Sequence, residues 1–178
     1  MITKNQIKLI KSLRLKKNRK QSGFFVAEGE KIVDELIESE IDSITLFSTS
    51  QKYKSLKNHI PINSTQLKQI SNQKSPKDVV GIFKIPMDQE IDFDENIVAL
   101  EDINDPGNLG TIIRLCDWFG IKDIICSNNS VDCYNPKVIQ ASMGSICRVK
   151  ISYMNLDKLF DSKNYNTVAA ELEGQNLR

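Results

Sequence analysis

Between Asn96 and Gly120 the chain reads NIVALEDINDPGNLGTIIRLCDWFG, and the period of its apolar residues changes part-way. Ile97 to Leu100 is a continuous apolar run, short enough for a buried strand. Leu109, Ile112, Ile113, Cys116 and Phe119 recur at helical spacing and make one apolar face. Asp105-Pro106-Gly107 separates the two as a turn, because proline fixes φ and glycine accepts positive φ. Gly120 closes the helix as a residue free to take the left-handed cap. A strand, a short Gly-containing loop and a helix place that loop at the carboxyl end of a parallel strand, where open α/β sheets bind ligands.

Asp102, Asn104, Asp105 and Asn108 lie between these elements, and Arg114 projects from the second turn of the helix. On local grounds they are a polar turn, an N-cap at Asn108 and a surface arginine. Only Gly107 and Gly110 are present, so there is no GxGxxG, and no Gly-Lys-Ser/Thr follows. Neither a dinucleotide nor a nucleoside triphosphate is indicated.

Charge is distributed unevenly. Residues 1–20 hold Lys4, Lys8, Lys11, Arg14, Lys16, Lys17, Arg19 and Lys20 with no acid, so in a chain of net charge +1 the remainder carries −7. An uninterrupted basic arm suits a polyanion, whose counterions it releases by neutralising phosphates. No apolar run approaches the roughly 20 residues of a membrane span, and no signal-peptide core opens the chain, so a cytoplasmic location is expected. Cys116, Cys126, Cys133 and Cys147 form no CxxC pair and His59 is the single histidine, so no metal site is expected. Cys116 and Cys126 read as buried thiols, and Cys133 as a loop residue open to solvent.

The order of elements is α/β throughout. A helix is expected over 4–17, a basic loop from Lys16 to Ser22 closing at Gly23, and a strand over 24–27. A helix carrying Ile32, Val33, Leu36 and Ile37 follows, then a strand over 44–47 and a polar helix over 51–58. A helix capped by Ser64 runs to Ile70, and a strand over 79–85 has Gly81 as a bulge. These form a small N-terminal domain over 1–86, joined by an acidic linker at 87–95 to a second domain over 96–178. There, strands at 123–126, 146–151 and 167–172 alternate with helices at 135–144 and 155–161. Asn135 is the cap and Pro136 the first residue of the former. Successive βα units imply a mostly parallel sheet.

The string Asp105-Pro106-Gly107-Asn108-Leu109-Gly110, with Arg114 six residues after Asn108, resembles the first signature motif of the SpoU/TrmH class of RNA ribose 2′-O-methyltransferases in the knotted SPOUT superfamily. Tyr134-Asn135-Pro136-Lys137 and Ala141-Ser142-Met143-Gly144-Ser145 are similar to the next segment of that family. Lys17 to Gly29 is similar to the basic entry and Glu-Gly of its N-terminal RNA-binding domain. The resemblance implies methyl transfer from S-adenosyl-L-methionine to a ribose 2′-hydroxyl of structured RNA, either rRNA or tRNA. It implies that Arg114 stabilises the developing alkoxide or positions a phosphate, that Asn108 orients the loop and the RNA, and that Gly107 and Gly110 allow close backbone approach. Lys16, Lys17, Arg19, Lys20, Glu28, Lys137 and Ser142 are the implied RNA-binding residues.

In that family most of the methyl-donor pocket comes from a Gly/Glu loop and a Ser-Leu-Asn segment that also thread the knot and help form the homodimer. Neither occurs up to Arg178. The second domain is therefore expected to be a partial SPOUT domain, with cofactor-binding residues unassigned. The alternative is an RNA-binding remnant or fragment without catalysis. A third reading, a nucleotide-binding α/β protein unrelated to RNA, is opposed by the basic arm.

Overall fold

The computed structural model describes residues 2–87, 90–162 and 166–170. Thr3 caps α1 (Lys4–Ser12) through a reciprocal box, its side chain accepting from Gln6 N while the Gln6 side chain accepts from Thr3 N. The expected single helix over 4–17 breaks at Leu13–Leu15. The expected basic loop is instead a second helix, α2 (Lys16–Ser22), ended by Gly23 at φ 72°. The break is held by side chains, since Arg19 Nη1 donates to the carbonyls of Leu13 and Arg14 and Asn18 Nδ2 to that of Ser12. These carbonyls are the groups a continuing helix would have used.

β1 (Phe24–Glu28), α3 (Glu30–Glu38), β2 (Ser43–Ser48), β3 (His59–Pro61), α4 (Ser64–Ile70) and β4 (Val79–Lys84) complete the first half. The sheet order is β1-β4-β2-β3, with β4 antiparallel to both neighbours and β2 parallel to β3. The three-residue β3 was invisible to periodicity. The polar helix expected over 51–58 is only a 3₁₀ turn at Gln51–Tyr53. Asn63, not Ser64, caps α4, using the same reciprocal box with Gln66. Gly81 is not a bulge, because it pairs in register with Ala27 and Leu46. It is glycine because a Cβ there would lie 2.5 Å from the Phe83 ring and 2.8 Å from Leu46 Cδ2.

The second half holds β5 (Ile97–Leu100), α5 (Pro106–Trp118), β6 (Asp123–Ser127), α6 (Pro136–Ser142), β7 (Lys150–Met154) and α7 (Leu156–Ser162). Its three strands are parallel in the order β5-β6-β7, as the alternation of elements implied. The strand expected at 146–151 begins four residues later, because Ser145–Cys147 is a 3₁₀ turn. Of the strand expected at 167–172, residues 167–170 are not in a strand, and residues 171 and 172 lie outside the described residues. Asp88 of the expected acidic linker also lies outside them.

The first sheet buries both faces. Val26, Phe47, Val80 and Ile82 face α1 and α4 through Ile10, Leu13, Leu67 and Ile70. Phe25, Ala27, Leu46 and Phe83 face the other way and share one core with α3, α5, β6 and α6. That core is continuous between the two sheets, and Phe25 packs against Tyr134 with the rings tilted by 41° and 4.9 Å between centroids. Each fully buried aliphatic or aromatic side chain here contributes about 1.5–3 kcal/mol, so the two halves are joined by apolar burial as well as by the polar contacts below.

Candidate functional site

The loop after β5 is built by short polar contacts. Asp102 adopts φ 46°, a left-handed conformation that Asp tolerates better than most residues. Its N–H donates to Ser127 Oγ at 2.8 Å, and Ser127 Oγ donates back to Asp102 Oδ1 at 2.9 Å. Asn104 Nδ2 donates to the Asp102 carbonyl. Asp105, rather than Asn108, is the N-cap of α5: its Oδ1 accepts from Asn108 N at 2.8 Å, with Pro106 at the first helical position. The Asn108 side chain is thereby free, and it is exposed.

α5 divides its faces sharply. Leu109, Gly110, Ile113 and Cys116 are buried. Gly110 is where α5 crosses α6, since a Cβ would meet Ala141 Cβ at 2.4 Å, the Val138 carbonyl at 2.9 Å and Ser142 N at 3.0 Å. The close approach expected at Gly110 is therefore to a neighbouring helix, not to RNA. Arg114 is exposed and makes no hydrogen bond or ion pair among the described residues. It and Asn108 lie six positions apart on one helix, roughly 120° apart around its axis. Phe119, expected on the buried face, is 72% exposed, and with Leu115 and Trp118 (84% exposed) it forms an uncovered apolar patch beyond Arg114.

At the carboxyl ends of the three parallel strands lies a cavity of about 260 Å³, lined by Glu101, Asp102, Ser127, Asn128 and Asn129 on one side and Met154 to Asp157 on the other. It does not fit S-adenosylmethionine. Its walls are mostly polar and acidic, only Met154 and Leu156 offer apolar surface, and small-molecule sites of that class occupy roughly 300–1,000 Å³ with predominantly apolar walls. No cluster of His, Cys, Asp or Glu that could hold a metal ion occurs among the described residues.

The basic arm reaches this site through named contacts. The Ile103 carbonyl accepts from Val131 N, the Val131 carbonyl from the Tyr153 hydroxyl, and Lys16 Nζ lies 5.8 Å from the Tyr153 ring centroid. Helix α2 is thus set beside the loops of the second sheet, with Lys16, Lys17 and Lys20 exposed. Lys137 is exposed at the start of α6.

Three expected RNA contacts are corrected. Arg19 is 2% exposed, and its guanidinium is spent on Asp132 Oδ2 and the carbonyls of Leu13 and Arg14. Glu28 is buried and accepts from Ser71 Oγ, Asn72 N and Asn72 Nδ2, which fixes the loop after α4. Ser142 is fully buried, and its hydroxyl donates to the Ile139 carbonyl at 2.9 Å. Cys133 is also buried rather than open, and burial pushes its thiol up to about 12.

The sequence reading missed Asp132 and Arg148. Arg148 donates to both carboxylate oxygens of Asp117 and, at 2.5 Å, to Glu35 Oε2 on α3, and this arginine holds the Asp117 carboxyl below its usual range. Both arginines bind partners more than 100 positions away, for which a local pattern holds no signal.

Residues 95–178 match the SpoU rRNA Methylase family, and residues 4–81 match the MRM3-like substrate binding domain. By this match residues 95–178, the second half of the chain, are a SpoU methylase domain. A SpoU-type sheet therefore begins at β5, and the basic helices α1 and α2 lie in the substrate-binding match. The mitochondrial rRNA methyltransferase 3 of Xenopus tropicalis is 28% identical over 81% of this chain and 39% of its own length. The 23S rRNA (guanosine(2553)-2′-O)-methyltransferase RlmP of Bacillus subtilis is 24% identical over 89% of this chain and 66% of its own. Among solved structures, a TrmH-family protein from Porphyromonas gingivalis superposes with a TM-score of 0.80 at 34% identity, covering 89% of this chain and 66% of that one. An AdoMet-bound rRNA methyltransferase from Sinorhizobium meliloti gives 0.78 at 29%, covering 90% and 66%. The chain thus spans between about two fifths and two thirds of the length of these relatives. Its fold is that of the SPOUT methyltransferases, and no helix among the described residues is long and apolar enough to cross a membrane.

Proposed function

We propose that this chain acts in methyl transfer from S-adenosylmethionine to a ribose 2′-hydroxyl of ribosomal RNA. The observation that carries the reading is the exposed Arg114 guanidinium, without a partner among the described residues, on a SpoU-type helix about two turns beyond a loop fixed at the carboxyl end of a parallel strand. An arginine without a protein partner retains its whole donor fork for a phosphate or for an alkoxide forming at the ribose. Asn108, freed from capping by Asp105, can hydrogen-bond the same nucleotide. Lys16, Lys17, Lys20 and Lys137 supply phosphate contacts that hold the ribose in place, and such positioning lowers the barrier by several kcal/mol. S-adenosylmethionine, when bound, supplies the electrophilic methyl group. The cavity at the strand ends does not seat it, so no step is assigned to residues around that cavity.

The alternative is an RNA-binding protein without its own transfer step; the rRNA methyltransferase relatives and the AdoMet-bound neighbour support the transferase over it. Two measurements separate them. The first is tritiated methyl incorporation into ribosomal RNA, with Arg114→Ala as control. The second is calorimetric titration of S-adenosylmethionine. Incorporation by the wild type that is lost in Arg114→Ala supports the transferase. RNA binding without incorporation, with no micromolar heat from the donor, supports the second reading.

Three finer assignments belong to the same proposal. The domain division is 1–86, 87–95 and 96–178. The location is cytoplasmic, with the ribosomal RNA. A homodimer would cover Leu115, Trp118 and Phe119, which light scattering of the purified chain tests.

A further inference from the structure

A second cavity, of about 160 Å³, lies between the two halves, away from the α5 loop. Its apolar walls are Val26 on β1 and Pro136 on α6. Its floor carries the buried Glu28 carboxylate, and its edges carry Asn72, Gln73 and Gln140. Gln73 Nε2 donates to Gln140 Oε1 at 2.8 Å across the cleft. That bond leaves the Gln73 carbonyl oxygen and the Gln140 amino group to face a ligand. Lys137 lines the mouth. Lys74 follows Gln73 in sequence, and Arg14 is tied to the Ser71 carbonyl at 3.1 Å. Among the described residues, Lys137 is the one cationic residue of the lining.

We propose that this cleft takes one unstacked nucleobase of the bound RNA. The proposal rests on the RNA reading above and adds to it a place where sequence is read. Size fits: an apolar cavity of about 150 Å³ accepts a benzene ring, so a single planar heterocycle is the largest ligand this cleft encloses. Chemistry fits as well. The Pro136 ring offers a flat apolar face to a base, and the amides of Gln73 and Gln140 suit its hydrogen-bonding edge. Lys137 suits a phosphate that flanks it. Single-stranded RNA is recognised in this manner, by bases splayed from the stack and bonded along their edges. Both Glu28 oxygens are taken by Ser71 and Asn72, so the Gln73 carbonyl oxygen is the acceptor left for a base, with the Gln140 amide and Lys137 as donors. Guanine, whose edge sets two N–H donors beside a carbonyl, offers more partners to that set than a base with a single N–H. Uracil, with one N–H, matches it less well.

The test uses the 178-residue chain and three synthetic nonamers of ribose phosphate, all abasic except at the central position. That position carries guanosine, uridine or no base, and binding is read by fluorescence anisotropy. Central guanosine is expected to tighten binding about tenfold over the wholly abasic strand, the scale of one good base contact, with uridine in between. Gln140→Trp, an exposed position whose larger ring closes the cleft, is expected to erase the gain while leaving the abasic affinity unchanged. Gln73→Ala should reduce the gain without blocking the cleft, and circular dichroism melts confirm that both variants are folded. Equal binding of the guanosine and abasic strands by the wild type overturns the cleft proposal and leaves the RNA reading standing, as does a gain that survives Gln140→Trp. Failure of all three nonamers to bind overturns both.

Discussion

Arg19 Nε donates to Asp132 Oδ2 at 2.8 Å, joining α2 to the loop before α6 across 113 positions of sequence. The guanidinium is 2% exposed and Nη1 is satisfied by two carbonyls, so removing it strands a largely buried carboxylate, 15% exposed, and the Leu13 and Arg14 carbonyls. Breaking such a pair from one side costs about 3–5 kcal/mol. Arg19→Ala should therefore lower the urea midpoint by that equivalent, whereas Lys17→Ala, exposed on the same helix, should shift it by no more than about 0.5 kcal/mol. Equal effects would return Arg19 to the surface.

Charge reversal for RNA binding belongs at Lys16, Lys17 and Lys20 alone, because Arg19→Glu would set two carboxylates together in the core. If each lysine meets a phosphate, reversing all three should flatten the plot of log affinity against log salt by about 2–3 units. The thermal midpoint should change little, since Lys16 over the Tyr153 ring contributes only about 0.5–1 kcal/mol at an exposed site. An unchanged slope in filter-binding assays across a salt series would show that α2 is a solvated face.

Alkali should unfold this protein through its thiols. Burial pushes Cys126 and Cys133 up to about 12, while in the unfolded chain a thiol titrates near 8.5. Below that value both states are protonated and the native advantage is complete. Above it the unfolded chain releases protons that the native state retains, so stability falls by about 1.4 kcal/mol per pH unit per thiol until the native thiols themselves ionise. The melting temperature should drop between pH 9 and 11, and Cys133→Ala should make the drop shallower. Parallel slopes for the two proteins would exclude the thiol as the cause.

Gly110→Ala is predicted to destabilise, despite replacing glycine with a better helix former. Alanine gains about 1 kcal/mol in propensity. Its Cβ, however, meets the Val138 carbonyl and Ser142 N as well as Ala141 Cβ, and backbone cannot swing aside. Overpacking of this kind costs about 1–3 kcal/mol. Adding Ala141→Gly removes one of the three clashes, so chemical denaturation of the double variant should show partial recovery and not full recovery.

What the sequence disclosed follows from range. The strand and helix around Pro106, the capped start of α6 at Asn135 and the parallel second sheet were legible because apolar period and turn chemistry act over a few residues. The motif likewise placed Arg114 correctly on an exposed face. The same local reasoning failed at Arg19, Glu28 and Ser142, which share composition with true surface contacts and differ only in partners distant in sequence. It also assigned Phe119 to the buried face by spacing, although α5 turns out of the core after Cys116. The break between α1 and α2 was hidden for a related reason: side-chain bonds to the Ser12, Leu13 and Arg14 carbonyls stop the helix there, with no proline or glycine to announce it.

The crossing at Gly110 bears on how descent is inferred for chains of this kind. Pro106 starts the helix, Leu109 enters the core and Gly110 admits α6, so three of the residues that make the string recognisable serve the scaffold. A lineage that abandoned the chemistry while keeping the fold would retain all three and would still be recognised. Asn108 and Arg114, uninvolved in folding, would be the first to drift. Under the proposed roles of Asn108 and Arg114, substitution at those two positions alone would separate working enzymes from inherited architecture.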